Sequence, residues 1–226
     1  MTFSGFPAAG LSFFRDLAKD NDRDWFEKNR AVWDEQIVPA MICWCEELAG
    51  RLREVMPGVK FVPRFGGSLY RLNRDIRFSK DKRPYQTHTA ALLWEGSEKH
   101  GAPGFYLQVS PDEVILGGGL YVFEEAHLDR YRKRLLNEKA ALALEQALAA
   151  AQKAGMKPEG EKLKRPPRGF VPEHPRAELS KYKGLVVAMS HKPATWLHTR
   201  EALDRSEAAA RAYAPLHAWL RDELCG

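Results

Sequence analysis

GFYLQVSPDEVILGGG, residues 104–119, is the stretch whose reading decides the fold. Phe105, Leu107 and Val109 alternate with Tyr106, Gln108 and Ser110. A period of two puts each set on its own face of a strand. Pro111-Asp112 then separates this run from a second one that begins at Glu113, which is hairpin chemistry. Strands are therefore predicted over Gly104–Ser110 and Glu113–Gly119, paired antiparallel, with Thr87–Trp94 as a third. Gly117-Gly118-Gly119 lacks the spacing of a dinucleotide fingerprint and opens no βαβ unit. It reads as a bulge or a close backbone approach.

On both sides of this block the period changes to that of a helix. Residues 11–56 carry Leu11, Phe14, Leu17 and Ala18 at helical spacing, then a break at Asn21-Asp22 with capping chemistry. Trp25, Phe26, Asn29 and Trp33 follow, and Ile37, Met41, Trp44, Leu48 and Leu52 form one apolar face that ends at Pro57-Gly58. Residues 124–153 are helical again and end near Gly155. Residues 156–184 read as a long basic connection, Leu185–Met189 as one more strand, and 202–224 as helix in which Pro215 either kinks or opens a final turn. Helix, sheet, helix in that order predicts an α+β fold: a central antiparallel sheet packed by N-terminal and C-terminal helices, as a single domain over residues 1–226.

Composition bounds the function. The chain has 226 residues, 44% hydrophobic and 11% aromatic, enough to bury a sizeable core. Its formal charge of +5 is a mild excess, so the placement of cations matters more than their total. Cys43, Cys45 and Cys225 match no zinc or redox spacing and read as reduced thiols in a cytoplasmic protein. The apolar stretch Gly5–Phe14 has no basic residue before it, and no run approaches the roughly 18 residues that span a bilayer; no membrane association is expected. His191 and His198, seven apart, have no ligand spacing. There is no HExxH, P-loop, nucleophile elbow or other cofactor motif, and no metal site is expected.

The densest polar chemistry lies in LYRLNRDIRFSKDKRPYQTH, residues 69–88. Read as extended, one face carries Tyr70, Leu72, Ile76 and Phe78 with Arg74 among them. The other carries Arg71, Asn73, Asp75, Arg77 and Ser79, spaced about 7 Å apart. Lys80, Asp81, Lys82 and Arg83 continue into a loop stopped by Pro84. Six cations and two aspartates lie between Arg71 and Arg83. Arginine forks and lysine point charges suit phosphate or carboxylate. Asp75 and His88 are the candidate proton-moving groups, and Tyr85 lies near them in sequence. Ser79-Lys80-Asp81-Lys82 spells S-x-x-K, but the partner motifs of that nucleophile are missing. A second basic cluster, KLKRPPRGFVPEHP, contains Lys162, Lys164, Arg165, Arg168 and His174 around Phe170, a composition that fits nucleotides or nucleic acid as well as a solvated, proline-stiffened connection.

Together these pieces resemble one family, the domain of unknown function 2461. The matching segments are NDRDWFEKNR (21–30), RLNRDIRFSKDKRPYQTH (71–88), PGFYLQV (103–109), GGG (117–119), LKRPPRGF with HP (163–175) and PL (215–216). The resemblance implies one domain over nearly the whole chain. It also implies a signature containing Arg71, Arg74, Asp75, Arg77, Ser79, Lys80, Asp81, Lys82, Pro84 and Tyr85, with Arg23, Trp25, Asn29, Arg30, Lys164, Arg165, Gly169 and His174. Gln86 stands where that family often has lysine, and Leu72 where it often has isoleucine. The family has no assigned reaction, so the resemblance bears on fold and site location.

Three functions follow. The first is binding or processing of an anionic small molecule by Arg71, Arg74, Arg77, Ser79, Lys80, Lys82 and Tyr85, with Lys164, Arg165 and His174 closing as a lid over 162–174. The second is a nucleic-acid-binding module using both basic clusters. The third is a structural ion network joining the Trp25–Arg30 helix to the sheet. A concave pocket favours the first, an exposed convex surface the second, burial with every charge paired the third.

Overall fold

The computed structural model describes residues 2–225. Helix α1 (Ala8–Lys19) ends before the Asn21-Asp22 break. Asp22 caps α2 (Arg23–Val32) by accepting the Trp25 amide at 2.8 Å. A π-helical turn, Trp33–Ile37, joins α2 directly to α3 (Val38–Leu52). Pro39, in the first turn of α3, has no N–H to donate back across that junction, which favours the wider turn. The expected apolar face of α3 is the one it buries: Ile37, Met41, Trp44, Leu48 and Leu52 are all in the core.

The sheet has six strands, all antiparallel to their neighbours, in the order β1-β2-β3-β4-β6-β5. These are β1 (Val59–Lys60), β2 (Thr89–Glu95), β3 (Gly104–Val109), β4 (Val114–Leu120), β5 (Lys157–Glu159) and β6 (Leu185–His191). The β3–β4 hairpin turns at Pro111-Asp112, closed by Ser110 N–H donating to the Glu113 carbonyl at 2.9 Å. The Ser110 hydroxyl oxygen accepts from the amides of Asp112 and Glu113, so one serine fixes the turn.

Cross-strand partners share a face, so Leu93, Phe105, Gly118 and Val187 form one inward row. Helices α3 and α7 (Glu201–Leu220) pack there. Gly118 is needed in that packing, since a Cβ would stand 2.4 Å from the Tyr213 ring of α7. The glycine run thus makes a close backbone approach, as expected, but no bulge: β4 stays in register with both neighbours throughout. Behind α7 lie α4 (Glu125–Leu136) and α5 (Glu138–Lys153).

Several expectations are corrected. The helical stretch 124–153 is two helices, split at Asn137, whose side chain accepts the Ala140 amide and caps α5. Of the two readings of Pro215, the one inside a helix holds: it lies within α7 and opens no final helix. The connection 156–184 contains β5, a three-residue edge strand that tolerates Pro158 because one of its sides is unpaired, and the short helix α6 (Ala177–Ser180). A buried polar chain ties α7 to the sheet. Tyr213 donates its hydroxyl to Nδ1 of His217 at 3.3 Å, and His217 Nε2–H donates to Glu95 at 2.6 Å. Glu95 also accepts from the Gly58 amide and faces Arg221. His217 is 0% exposed, and burial pushes its pKa down despite the carboxylate. Burial raises the Glu95 pKa, but the His217 bond with the His217 and Arg221 charges outweighs it, and the net direction is down.

Candidate functional site

The signature segment is no strand of the sheet. Leu69 and Tyr70 still pair with β2, with Tyr70 N–H donating to the Ala90 carbonyl at 3.0 Å. Beyond that the chain leaves the sheet as a narrow ribbon. Gln86 N–H donates to Leu72 O and Arg74 N–H to Pro84 O, both at 2.8 Å, around an Asn73–Tyr85 bridge. Residues 75–83 form its tip. The ribbon is moored to the start of α2. Asn21 and the Tyr85 backbone exchange two hydrogen bonds, at 3.0 and 3.1 Å, and the Tyr85 and Phe26 rings lie 4.7 Å apart. Two motifs far apart in sequence, 21–30 and 71–88, therefore meet at Tyr85.

The pleat expected for 70–79 fails for a local reason. Asp75 accepts the Arg77 amide and Asp81 the Arg83 amide, each two residues on, and each carboxylate also grips that arginine's guanidinium. Such side-chain turns take amides that a strand ladder would use. Phe78, expected on a buried face, is 94% exposed at the tip beside Arg77, and Tyr70 is also exposed. Leu72 alone of the four expected apolar residues is fully buried.

Most of the loop's charges are already engaged. Arg74, half-buried, bridges the ribbon through the Arg83 carbonyl and Asp81, both at 2.9 Å. Lys82 donates to the Ile76 carbonyl, while Arg71 and Lys80 are exposed. Ser79 is half-buried, its amide bonded to Ile76. The Arg77 fork lowers the Asp75 pKa and the Arg83 fork that of Asp81. Asp75 is thus an ionised partner of Arg77, a poor starting point for a general base.

The second cluster stands elsewhere. Thr89, Val109, Val114 and His191 mark one end of the sheet, and Leu120 and Leu185 the other. The 71–88 ribbon leaves from the first end. Residues 161–163 pair with 181–183 beyond the second, about 20 Å away along seven-residue strands. Lys164 and Arg165 are exposed there. His174 packs on Phe170 and accepts the Arg176 amide, and Arg176 is held by Glu138 and Glu145 of α5. The two basic clusters do not converge, so the segments expected to form one pocket with a lid form two separate surfaces.

His88 is the predicted residue that does sit in a cleft. A hollow of about 460 Å³ lies between the C-terminal half of α1 and the β3–β4 hairpin. Arg15 and Lys19 form one wall, Gln108 and Glu113 the other, with His88 and Thr87 between. Burial lowers the His88 pKa against the pull of Glu113, so the imidazole is neutral at pH 7. Tyr106 donates its hydroxyl to Oε1 of Gln108 at 2.7 Å. That orients the amide, whose Nε2 has no partner among the hydrogen bonds of the described residues. Ser190 donates to Oε2 of Glu113 at 2.7 Å. These groups belong to the sheet face opposite the one that α3 and α7 cover, on which Tyr70 and Tyr106 meet edge to face at 5.9 Å and Lys99 lies 4.2 Å over the Tyr70 ring. Tyr106, Gln108 and Ser110 were visible as the polar half of an alternating strand. Arg15, Lys19 and Glu113 had no such signal, because they enter the cleft through tertiary packing.

Among the described residues no group of three or more potential metal ligands occurs, no helix is long and apolar enough to cross a membrane, and the three cysteines are free. A family model described as conserved hypothetical protein, DUF2461, matches residues 9–219, and the chain belongs to that family. No curated protein and no solved structure matches the chain.

Proposed function

For this member of the DUF2461 family we propose binding of a single-stranded nucleic acid, with the loop 75–83 and its ribbon as the phosphate-gripping element. The observation that carries this reading is the form of the signature segment: a ribbon that leaves the sheet, its tip mostly exposed and carrying a bare phenylalanine. Six cations against two aspartates between Arg71 and Arg83 leave the segment at a net +4. Basic side chains around an exposed aromatic are the combination that grips a backbone and stacks a base. A small-molecule pocket would instead need these groups turned inward, and a purely structural network would bury them.

The test is fluorescence anisotropy with a labelled oligothymidylate. If about four phosphates are neutralised, affinity falls roughly 50-fold for a fourfold rise in salt. Phe78→Ala should weaken binding about 5- to 150-fold, the worth of one stacked base, with an unchanged melting temperature. No binding at low salt removes the reading. Sedimentation with anionic vesicles that depends on Phe78, in the absence of strand binding, replaces it with a membrane-docking role.

A further inference from the structure

We infer that the cleft between α1 and the β3–β4 hairpin is a guanine-binding site, built from Gln108 and Glu113. It deepens the nucleic-acid reading by naming a base that the loop itself does not select.

The argument is one of donor and acceptor order. The Tyr106 hydroxyl donates to Oε1 of Gln108 and so orients the amide; its two Nε2 protons are its donors to the cleft, and Oε1 keeps one further lone pair. Glu113 offers acceptors only: Oε1 has no partner among the hydrogen bonds of the described residues, and Oε2 keeps a lone pair beyond the one Ser190 uses. The wall therefore presents a donor beside a two-oxygen acceptor. Guanine's Watson–Crick edge is an acceptor, O6, beside two donors, N1–H and N2–H. Uracil and thymine place an acceptor where the second carboxylate oxygen needs a donor. Adenine, through N1 and N6–H, and cytosine, through N3 and N4–H, can meet the amide and one carboxylate oxygen; only guanine meets the amide and both oxygens at once. A polar group left unpaired by the wrong base makes such a site selective, to a degree set by the half-burial of Gln108 and Glu113.

The surroundings fit a nucleotide. At about 460 Å³ the cleft falls in the range of small-molecule sites, roughly 300–1,000 Å³. Arg15 on the opposite wall supplies a cation for a phosphate, beside Lys19, which pairs with Asp16 at 2.8 Å, and His88 offers a neutral ring. Thr87 and His88 follow the ribbon directly, so the cleft lies beside the ribbon's base. The same chemistry is carried by a free guanine nucleotide, and the experiment separates the two sources.

The full chain is titrated with GMP, AMP, CMP and UMP by calorimetry, and with oligothymidylate and its single-guanine counterpart by anisotropy. The expected result is a preference of about tenfold or more for guanine. Glu113→Gln should abolish it with no change in melting temperature. A preference in the oligonucleotide alone identifies a strand as the source, and a preference among the mononucleotides a free nucleotide. Equal binding of all four bases, or a preference that survives Glu113→Gln, overturns the inference. If thymidylate binds with steep salt dependence and no guanine preference, the loop reading stands and the cleft assignment fails. If GMP binds selectively and no strand binds, the reverse holds.

Discussion

His217→Ala should strongly destabilise this protein while touching neither the loop nor the cleft. The imidazole is fully buried between the Tyr213 hydroxyl and the Glu95 carboxylate. Its removal strands a buried hydroxyl without an acceptor, at about 1–3 kcal/mol. It also opens a cavity beside α7, which for large-to-small changes costs about 2–5 kcal/mol. Some relaxation toward Arg221 lowers the sum, so the expected loss is about 3–5 kcal/mol, a large share of the 5–15 kcal/mol that holds an ordinary domain together. Urea unfolding followed by tryptophan fluorescence measures it. Tyr213→Phe alone should cost about 1–2 kcal/mol, and the double variant should lose less than the sum, because the first change already removes what the second would break. A loss below 1 kcal/mol for His217→Ala, or strict additivity, refutes the hydrogen-bonded chain. The pH dependence follows the same geometry. The folded-state pKa of His217 lies below its unfolded value of about 6.5. The unfolded chain therefore binds the proton first, and the contribution, complete above pH 6.5, is lost as pH falls through the folded value. His217→Ala should flatten the stability slope below pH 6.5.

Other outcomes are expected elsewhere. Asn21→Ala removes both bonds to the Tyr85 backbone and should cost about 1–2 kcal/mol in urea unfolding, while Asn21→Asp, which keeps the acceptor for the Tyr85 amide, should cost less. Gly118→Ala forces a methyl into the Tyr213 ring and should destabilise by about 1–3 kcal/mol, read as a lowered denaturant midpoint. Lys164→Ala with Arg165→Ala should leave oligonucleotide affinity within twofold, since those side chains stand at the far end of the sheet; a tenfold loss would mean one strand reaches both clusters.

The hairpin at 104–120 was legible because its alternation and its turn residues agree, and the structure buries Phe105, Leu107 and Val109 while Tyr106 and Gln108 are only half-buried. The apolar stripe from Ile37 to Leu52 was legible for the same reason: one period over four turns. What failed is local chemistry that imitates a period. Arg71 to Ser79 alternates well enough to read as a strand, but Asp75-x-Arg77 and Asp81-x-Arg83 turn the chain back on itself. The repeated D-x-R was the signal that this was no strand. Asn137 before Glu138 was a cap hidden in an alanine-rich stretch. The cleft was beyond sequence, because Arg15 and Glu113 are brought together only by how α1 docks against the hairpin. His88 was named for its neighbours in the chain and found its place through different ones.

The two aspartate turns in the loop have a consequence for selectivity of another kind. Because Asp75 and Asp81 already occupy the forks of Arg77 and Arg83, an incoming phosphate must displace a carboxylate of the protein's own. A lone phosphate gains little from that exchange, trading one anion for another. A chain of phosphates engages several forks together, so only the first exchange carries the full entropic cost of association. The segment would then discriminate by valence: indifferent to the monovalent anions around it, and responsive to a polymer long enough to unseat both aspartates in one encounter.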